Sequence, residues 1–163
     1  MQNARPQKSR AREWLASFAL LGCVTIVLLA TMWPTPLDTD YAGAVDKLLA
    51  VLHRNGIPEW FGYNKLEFSA NVLMFVPLGF LLTMILPAKV WWLALVICPA
   101  LSIGIELTQA TFLSERFATM ADVLSNSLGS VVGAFCAVVL RAVVHARDEK
   151  LIARALWDFG SRA

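Results

Sequence analysis

The chain has 163 residues, 58% of them hydrophobic and 16% charged, with a positive mean hydropathy. A water-facing domain of this size carries more charge, so composition excludes an ordinary soluble globular protein and leaves one compact membrane domain. Fourteen Lys and Arg against 12 Asp and Glu give a net charge of +2, and the cations cluster at the two ends rather than on one face, which excludes a nucleic-acid partner.

In chain order, residues 1–13 form a basic segment carrying Arg5, Lys8, Arg10 and Arg12. Trp14 to Trp33 is a stretch of 20 uncharged residues, enough at about 1.5 Å per residue to cover a hydrocarbon core of ~30 Å. Trp33, Pro34 and Pro36 follow it, and the nearest small-residue cleavage pattern, Ala42 to Ala44, is too far away for a secretory signal. The expectation is a retained span.

The loop 34–67 contains the pattern of an amphipathic helix. Asp38, Thr39 and Asp40 offer N-caps, Val45, Leu48, Leu49 and Leu52 recur at helical spacing, and Asn55-Gly56 with Pro58 ends the run. Trp60, Phe61 and Tyr63 are types that favour the headgroup level, so the segment is expected to lie along the outer face of the bilayer as a cover. Three further spans are predicted at about 68–86, 90–112 and 119–140, with links too short to hold another domain. Residues 14–140 are thus expected to form a single membrane domain. In the basic tail, 141–163, Leu151, Ile152, Ala155, Leu156 and Phe159 make one face and Arg147, Lys150 and Arg154 another, a pattern expected to rest on anionic lipid.

The fold class is therefore all-α: a polytopic integral membrane protein with four transmembrane helices in a bundle, an extracytoplasmic amphipathic helix and a cytoplasmic C-terminal one. Of the 14 Lys and Arg, ten fall in the N-terminal segment, at Lys89 and in the tail, and four (Lys47, Arg54, Lys65, Arg116) on the other side. That asymmetry places both termini in the cytoplasm. Cys23, Cys98 and Cys136 lie in apolar runs without CxxC spacing, and His53 and His145 lie outside the spans. No metal and no cofactor is expected.

The polar residues of the spans fall into one layer in this topology. Glu67 and Asn71 stand at i, i+4 in the first turns of the second span. Ser102, Glu106 and Gln109 stand at i, i+4, i+7 in the outer half of the third, and Asp122 and Asn126 at i, i+4 in the first turns of the fourth, with Arg116 on the last link. Each set occupies one helix face. An ionised carboxylate at mid-membrane costs about 2.5–3.5 kcal/mol on insertion scales, so these faces are expected to turn toward one another or toward a wet cavity. Gly129 and Gly133 lie on or beside the Asp122 face at the spacing that permits close backbone approach. Pro77 and Pro99 each release the carbonyl four residues earlier, which can kink the helix and open a pocket toward the outside.

The run from Glu67 through Asn71, Pro77 and Gly79, then Ile105-Glu106 and Gln109, Arg116, Ala121-Asp122, Asn126, Gly129 and Gly133 closely resembles the VanZ-like family in order and spacing, over about Leu66 to Leu140. The resemblance implies a small polytopic bacterial protein of the cell membrane with a role in the envelope. The family takes its name from a member that confers low-level teicoplanin resistance by an undefined route, and it supplies no catalytic residues to transfer.

Three functions follow as expectations. The first is a non-enzymatic, outward-facing polar pocket that binds an envelope component, a lipid-linked glycan or a lipopeptide headgroup. Arg116 would be its anion contact, with Glu67, Asn71, Glu106, Gln109, Asp122 and Asn126 around it and Pro77, Gly79, Gly129 and Gly133 in structural roles. The second is an enzyme in which Glu67, Glu106 and Asp122 serve acid–base or metal-assisted chemistry on a lipid-linked phosphate. The third is a small proton-coupled carrier or flippase, against which the confinement of polar residues to one leaflet argues. Membrane lipids are the expected partners, and the sequence does not fix an oligomeric state.

Overall fold

The computed structural model describes residues 10–32, 37–112 and 119–160. Among them the regular structure is entirely helical: α1 (Arg10–Thr31), α2 (Leu37–Arg54), α3 (Tyr63–Ile85), α4 (Ala94–Phe112) and α5 (Met120–Gly160), with a 3₁₀ turn at Trp91–Leu93 leading into α4. Four segments are long and apolar enough to cross a membrane: Trp14–Thr31, Tyr63–Ile85, Trp91–Phe112 and a stretch within α5. The four spans and the amphipathic helix between the first two are those expected from hydropathy and periodicity. Trp33, Pro34 and Pro36, and the cations Arg5, Lys8 and Arg162, lie outside the described residues.

The ends of the elements differ from the sequence expectation for local reasons. α2 begins at Leu37, so Asp38, Thr39 and Asp40 fall in its first turn rather than at its cap. Its other end is the expected Asn55-Gly56. Gly56 has φ 94°, and the amides of Ile57 and Gly56 donate to the carbonyls of Leu52 and His53 at 3.1 Å, a Schellman closure. α3 begins at Tyr63 rather than near Phe68, because Lys65 does not interrupt it: the Lys65 ammonium bonds to the Trp60 carbonyl at 3.0 Å and stacks 3.7 Å over the Trp60 ring. The C-terminal amphipathic segment is one continuous helix with the fourth span. α5 runs 41 residues, about 60 Å at 1.5 Å per residue, roughly twice the hydrocarbon thickness.

The surface of the bundle is apolar and its interior is small and polar. Phe18, Leu21, Leu29, Leu73, Leu107, Leu124, Phe135 and Val139 are all exposed, while Ala94, Ala134, Ala137, Ser102, Ser125, Ser130 and Thr83 are buried. Lipid tails are as apolar as Leu, so burying Leu gains little in a bilayer and close packing of small residues holds the helices together instead. This is a multi-pass membrane protein. Its larger core side chains, Val27, Phe75, Leu78, Cys98 and Ile105, form one cluster drawn from α1, α3 and α4.

The most extensive packing joins α3 and α5, two helices that run parallel and are not neighbours in sequence. α4 packs on both, α1 packs on α3, and α2 stands apart. The α3–α5 contact is backbone on backbone. A Cβ at Gly129 would collide with the Val72 carbonyl, one at Gly133 with the Val76 carbonyl and the Phe80 amide, and one at Gly79 with the Ser130 backbone. Pro77 sits on the exposed face of α3, and both α3 and α4 run through their prolines.

Gly129→Val should therefore force α3 and α5 apart and lower stability by about 1–3 kcal/mol, the usual cost of overpacking a filled core. Gly22→Ala, at a position with open space around it, should leave the thermal midpoint in detergent unchanged or slightly raised. Equal midpoints for the two variants would contradict the packing described.

Candidate functional site

The helix directions bring the C-terminal ends of α1 and α4 together with the N-terminal ends of α3 and α5, and the polar side chains of the spans meet there. α5 opens on Thr119, whose hydroxyl accepts the Asp122 amide at 3.2 Å and donates to Asp122 Oδ2 at 2.6 Å. This is a capping arrangement of the Thr-x-x-Asp type, with the carboxylate at the positive end of the helix dipole. In a simple capping box the acid would also take the amide of the cap residue. Here the Thr119 amide donates instead to Glu106 Oε2 of α4, at 3.1 Å.

Asp122 also reaches sideways. The Asn71 side-chain amide of α3 donates to Asp122 Oδ1 at 2.8 Å, so hydrogen bonds from two helices hold the two carboxylate oxygens. One turn deeper, the Asn126 amide donates to Ser102 Oγ of α4 at 2.8 Å. On the far side of α4, the Gln109 amide donates to the Thr31 carbonyl of α1 at 2.7 Å, satisfying one of the carbonyls that the end of a helix leaves unpaired. Each of the four spanning helices is bonded at this end to at least one other.

Burial grades across the site. Gln109, Glu106 and Asn126 are 6%, 9% and 2% exposed. Asp122 and Asn71 are half-buried, and Thr119 and Glu67 are exposed. Asn126 Oδ1 is buried without a hydrogen-bond partner, so the Asn126–Ser102 pair lacks one donor in a place where an unmade bond costs about 1–3 kcal/mol.

Of the residues singled out from sequence, Asn71, Asp122 and Glu106 thus join one hydrogen-bonded chain through Thr119, and Asn126 forms a separate pair with Ser102 one turn deeper. Gln109 is at the same level, but its amide is committed to α1. Glu67 lies one turn nearer the start of α3 on the exposed side. Arg116 lies outside the described residues. Gly79, Gly129 and Gly133 lie at the α3–α5 backbone contact. The residue that sequence reasoning missed at this end is Thr119, although a Thr three residues before an acid at the start of an apolar run is a legible cap signal.

The family model described as VanZ/LLP1 matches residues 16–141. The chain belongs to the VanZ-like family. The matched region runs from Ala16 within α1 to Arg141 in α5, so it contains the whole polar end and the α3–α5 glycine contact. Comparison with curated proteins and with solved structures returned no match.

The end of the VanZ-like region carries a second feature that the sequence reading did not anticipate. At the opposite end of the bundle Arg141 donates from one guanidinium nitrogen to the carbonyls of Met84 and Leu86, at 2.8 and 2.7 Å. It thereby caps the C-terminal end of α3, where a cation is also favoured by the helix dipole. Only its charge, read as a topological signal, was visible beforehand.

Two measurements follow. A double-mutant cycle between Asn71→Ala and Asp122→Ala should give a coupling of about 1–2 kcal/mol, between the average for membrane side-chain bonds and that for bonds to charged groups. Arg141→Met should lower stability by about 1–3 kcal/mol by stripping two carbonyls, while Arg141→Lys should recover part of the loss. A zero coupling in the first case, or a neutral Arg141→Met, would contradict these contacts.

Proposed function

We propose that the polar end of this VanZ-like protein faces the outside of the bacterial cytoplasmic membrane, with both termini in the cytoplasm, and binds the anionic headgroup of an envelope amphiphile, a lipid-linked glycan or a lipopeptide. The observation that carries this reading is the convergence of Asn71, Glu106, Asp122 and Asn126, from three helices, at one end of an otherwise apolar bundle. A carboxylate in a membrane span costs several kcal/mol to insert unless it is paired or serves a site that water and ligand reach. The distribution of Lys and Arg supports placing that end outside.

In the proposed mode Arg116, which belongs by sequence to the link between α4 and α5, meets a phosphate or carboxylate of the headgroup. Asp122 and Glu106, held by Asn71 and Thr119, orient the guanidinium and accept from hydroxyls or amides of the ligand. The exposed Glu67 and Thr119 at the mouth line its approach. A link to glycopeptide resistance of the teicoplanin type would follow if the bound component is one that the antibiotic also engages.

Orientation is tested by single cysteines in a cysteine-free background. Asn64→Cys should react with an impermeant maleimide in intact cells and Ala153→Cys only after lysis; the reverse pattern would overturn the topology. Binding is tested in phosphatidylcholine nanodiscs titrated with undecaprenyl phosphate, an undecaprenyl-diphosphate-linked glycan or teicoplanin. At a hundredfold excess over the dissociation constant the bound component should raise the thermal midpoint by about 5–10 °C, and Arg116→Glu should abolish the rise. The proposal fails if none of the three stabilises the protein, or if Arg116→Glu responds as the native chain does.

A further inference from the structure

Directly below the polar end, on the side where α1 faces α4, the bundle is open. A groove of about 390 Å³ runs between the two helices, walled by Leu28 and Met32 of α1 and by Leu101, Gly104, Ile105 and Thr108 of α4. A second hollow of about 280 Å³ on α1 shares Leu28 and Met32 with it and extends it toward Thr25. The groove exists because α1 packs on α3 rather than on α4. The bond between α1 and α4 that the structure shows is the clasp from Gln109 to the Thr31 carbonyl, which lies at the polar end of the groove.

We infer that this groove holds a single hydrocarbon chain of a bilayer amphiphile whose headgroup sits at the adjoining polar end, so that α1 and α4 form the chain subsite of the same ligand. The inference rests on the reading of the polar end as a headgroup site and extends it to the ligand's tail. Three observations support it.

The first is chemical continuity. Ile105 and Thr108 line the groove, and Glu106 and Gln109, one position away from each, belong to the polar end. Consecutive residues point about 100° apart around a helix, so an amphiphile in the groove reaches the carboxylate side of α4 by passing the Gln109 clasp at the end of that helix.

The second is size. Residues 100–108 of α4 extend about 12 Å, which gives the groove a mean cross-section of about 30 Å². An open groove of that section suits a single hydrocarbon chain lying along α4. Its volume lies within the usual range for ligand pockets, about 300–1,000 Å³.

The third is the floor. Gly104 has nothing within 4 Å of where a Cβ would stand. It is not needed for helix packing, unlike Gly79, Gly129 and Gly133, and what its missing side chain leaves is room in the groove.

The test uses the full chain in nanodiscs doped with a phosphatidylglycerol carrying a diazirine on its acyl chain, with cross-links mapped by mass spectrometry. In the native chain the adducts should concentrate on residues 25–32 and 100–108, at least fivefold over the more exposed face of α5 at Phe135 and Val139. Gly104→Leu, whose Cβ would meet nothing within 4 Å, should fill the groove and remove that excess while the thermal midpoint is kept. Ala100→Leu, at another residue lining the groove, provides a second filling variant in case the first fails to fold. Adducts spread evenly over all lipid-facing residues, an excess that survives both variants, or protection of the groove by dimer formation would overturn the inference. An excess in the groove that is the same for phosphatidylglycerol and for phosphatidylcholine, and unaffected by Arg116→Glu, would leave the chain subsite standing and remove the headgroup reading.

Discussion

Backbone contact between α3 and α5 sets the register of everything else. Three glycines, Gly79, Gly129 and Gly133, let two parallel helices touch main chain to main chain. At such a contact a helix cannot slide without driving a Cβ into a carbonyl. The consequence appears at both ends. Toward one end, the register puts the Asn71 amide on Asp122, and toward the other it puts the Arg141 guanidinium on the last carbonyls of α3. Neither bond could form if the pair were shifted by one turn. Parallel helices gain nothing from opposed dipoles, so the stability of this pair rests on close van der Waals contact, as is usual for glycine-mediated crossings in membranes.

Helix ends are the second constraint. Each leaves four amides or four carbonyls without an intrahelical partner, and in a bilayer water is a poor substitute. This protein closes several of them with side chains from other helices. Gln109 of α4 serves the end of α1, Arg141 of α5 serves the end of α3, and Glu106 of α4 takes the amide of Thr119 at the start of α5. The same bonds that satisfy the termini therefore tie the bundle together, and they place two carboxylates at one end as a by-product of capping. Among the described residues, the buried side-chain oxygens left without a partner are Asn126 Oδ1 and Thr83 Oγ1. The first belongs to the polar end and marks where that end lacks a donor.

How much of this could be read from the sequence depends on whether the relevant signal is periodic. The four spans and α2 were legible because hydropathy and helical spacing are local properties of the chain. The shared faces of Ser102 with Glu106 and of Asp122 with Asn126 were legible for the same reason, whereas Gln109 turns to α1 instead. Partners were not. Gly129 and Gly133 announce a close approach but not that α3 receives it, since the pairing of helices distant in sequence leaves no periodic trace. Gln109 and Arg141 both bond to backbone carbonyls, and a backbone carbonyl has no residue type to recognise. The length of α5 was hidden in another way: hydropathy falls after Leu140, which reads as the end of a span, yet no Gly or Pro stands between Arg141 and Phe159 to stop the helix.

α1 is the helix least committed to the bundle, and on the proposed reading that shapes what the polar end binds. Only 11% of its span is buried, its packing is on α3, and the Gln109 clasp reaches it at a single level. Had α1 packed on α4 along its whole length, the polar end would be a lid on a closed core, reached only from the water side. Because it does not, the polar groups adjoin a hydrophobic groove that opens sideways into the bilayer. A water-soluble ligand would gain nothing from that groove. An amphiphile gains from both surfaces at once, and the two surfaces are held at a fixed spacing by the bond that joins Gln109 to Thr31. On the proposed reading, a polar end beside a lateral apolar groove favours ligands that reside in the membrane, the class to which lipid-linked glycans and lipopeptides belong.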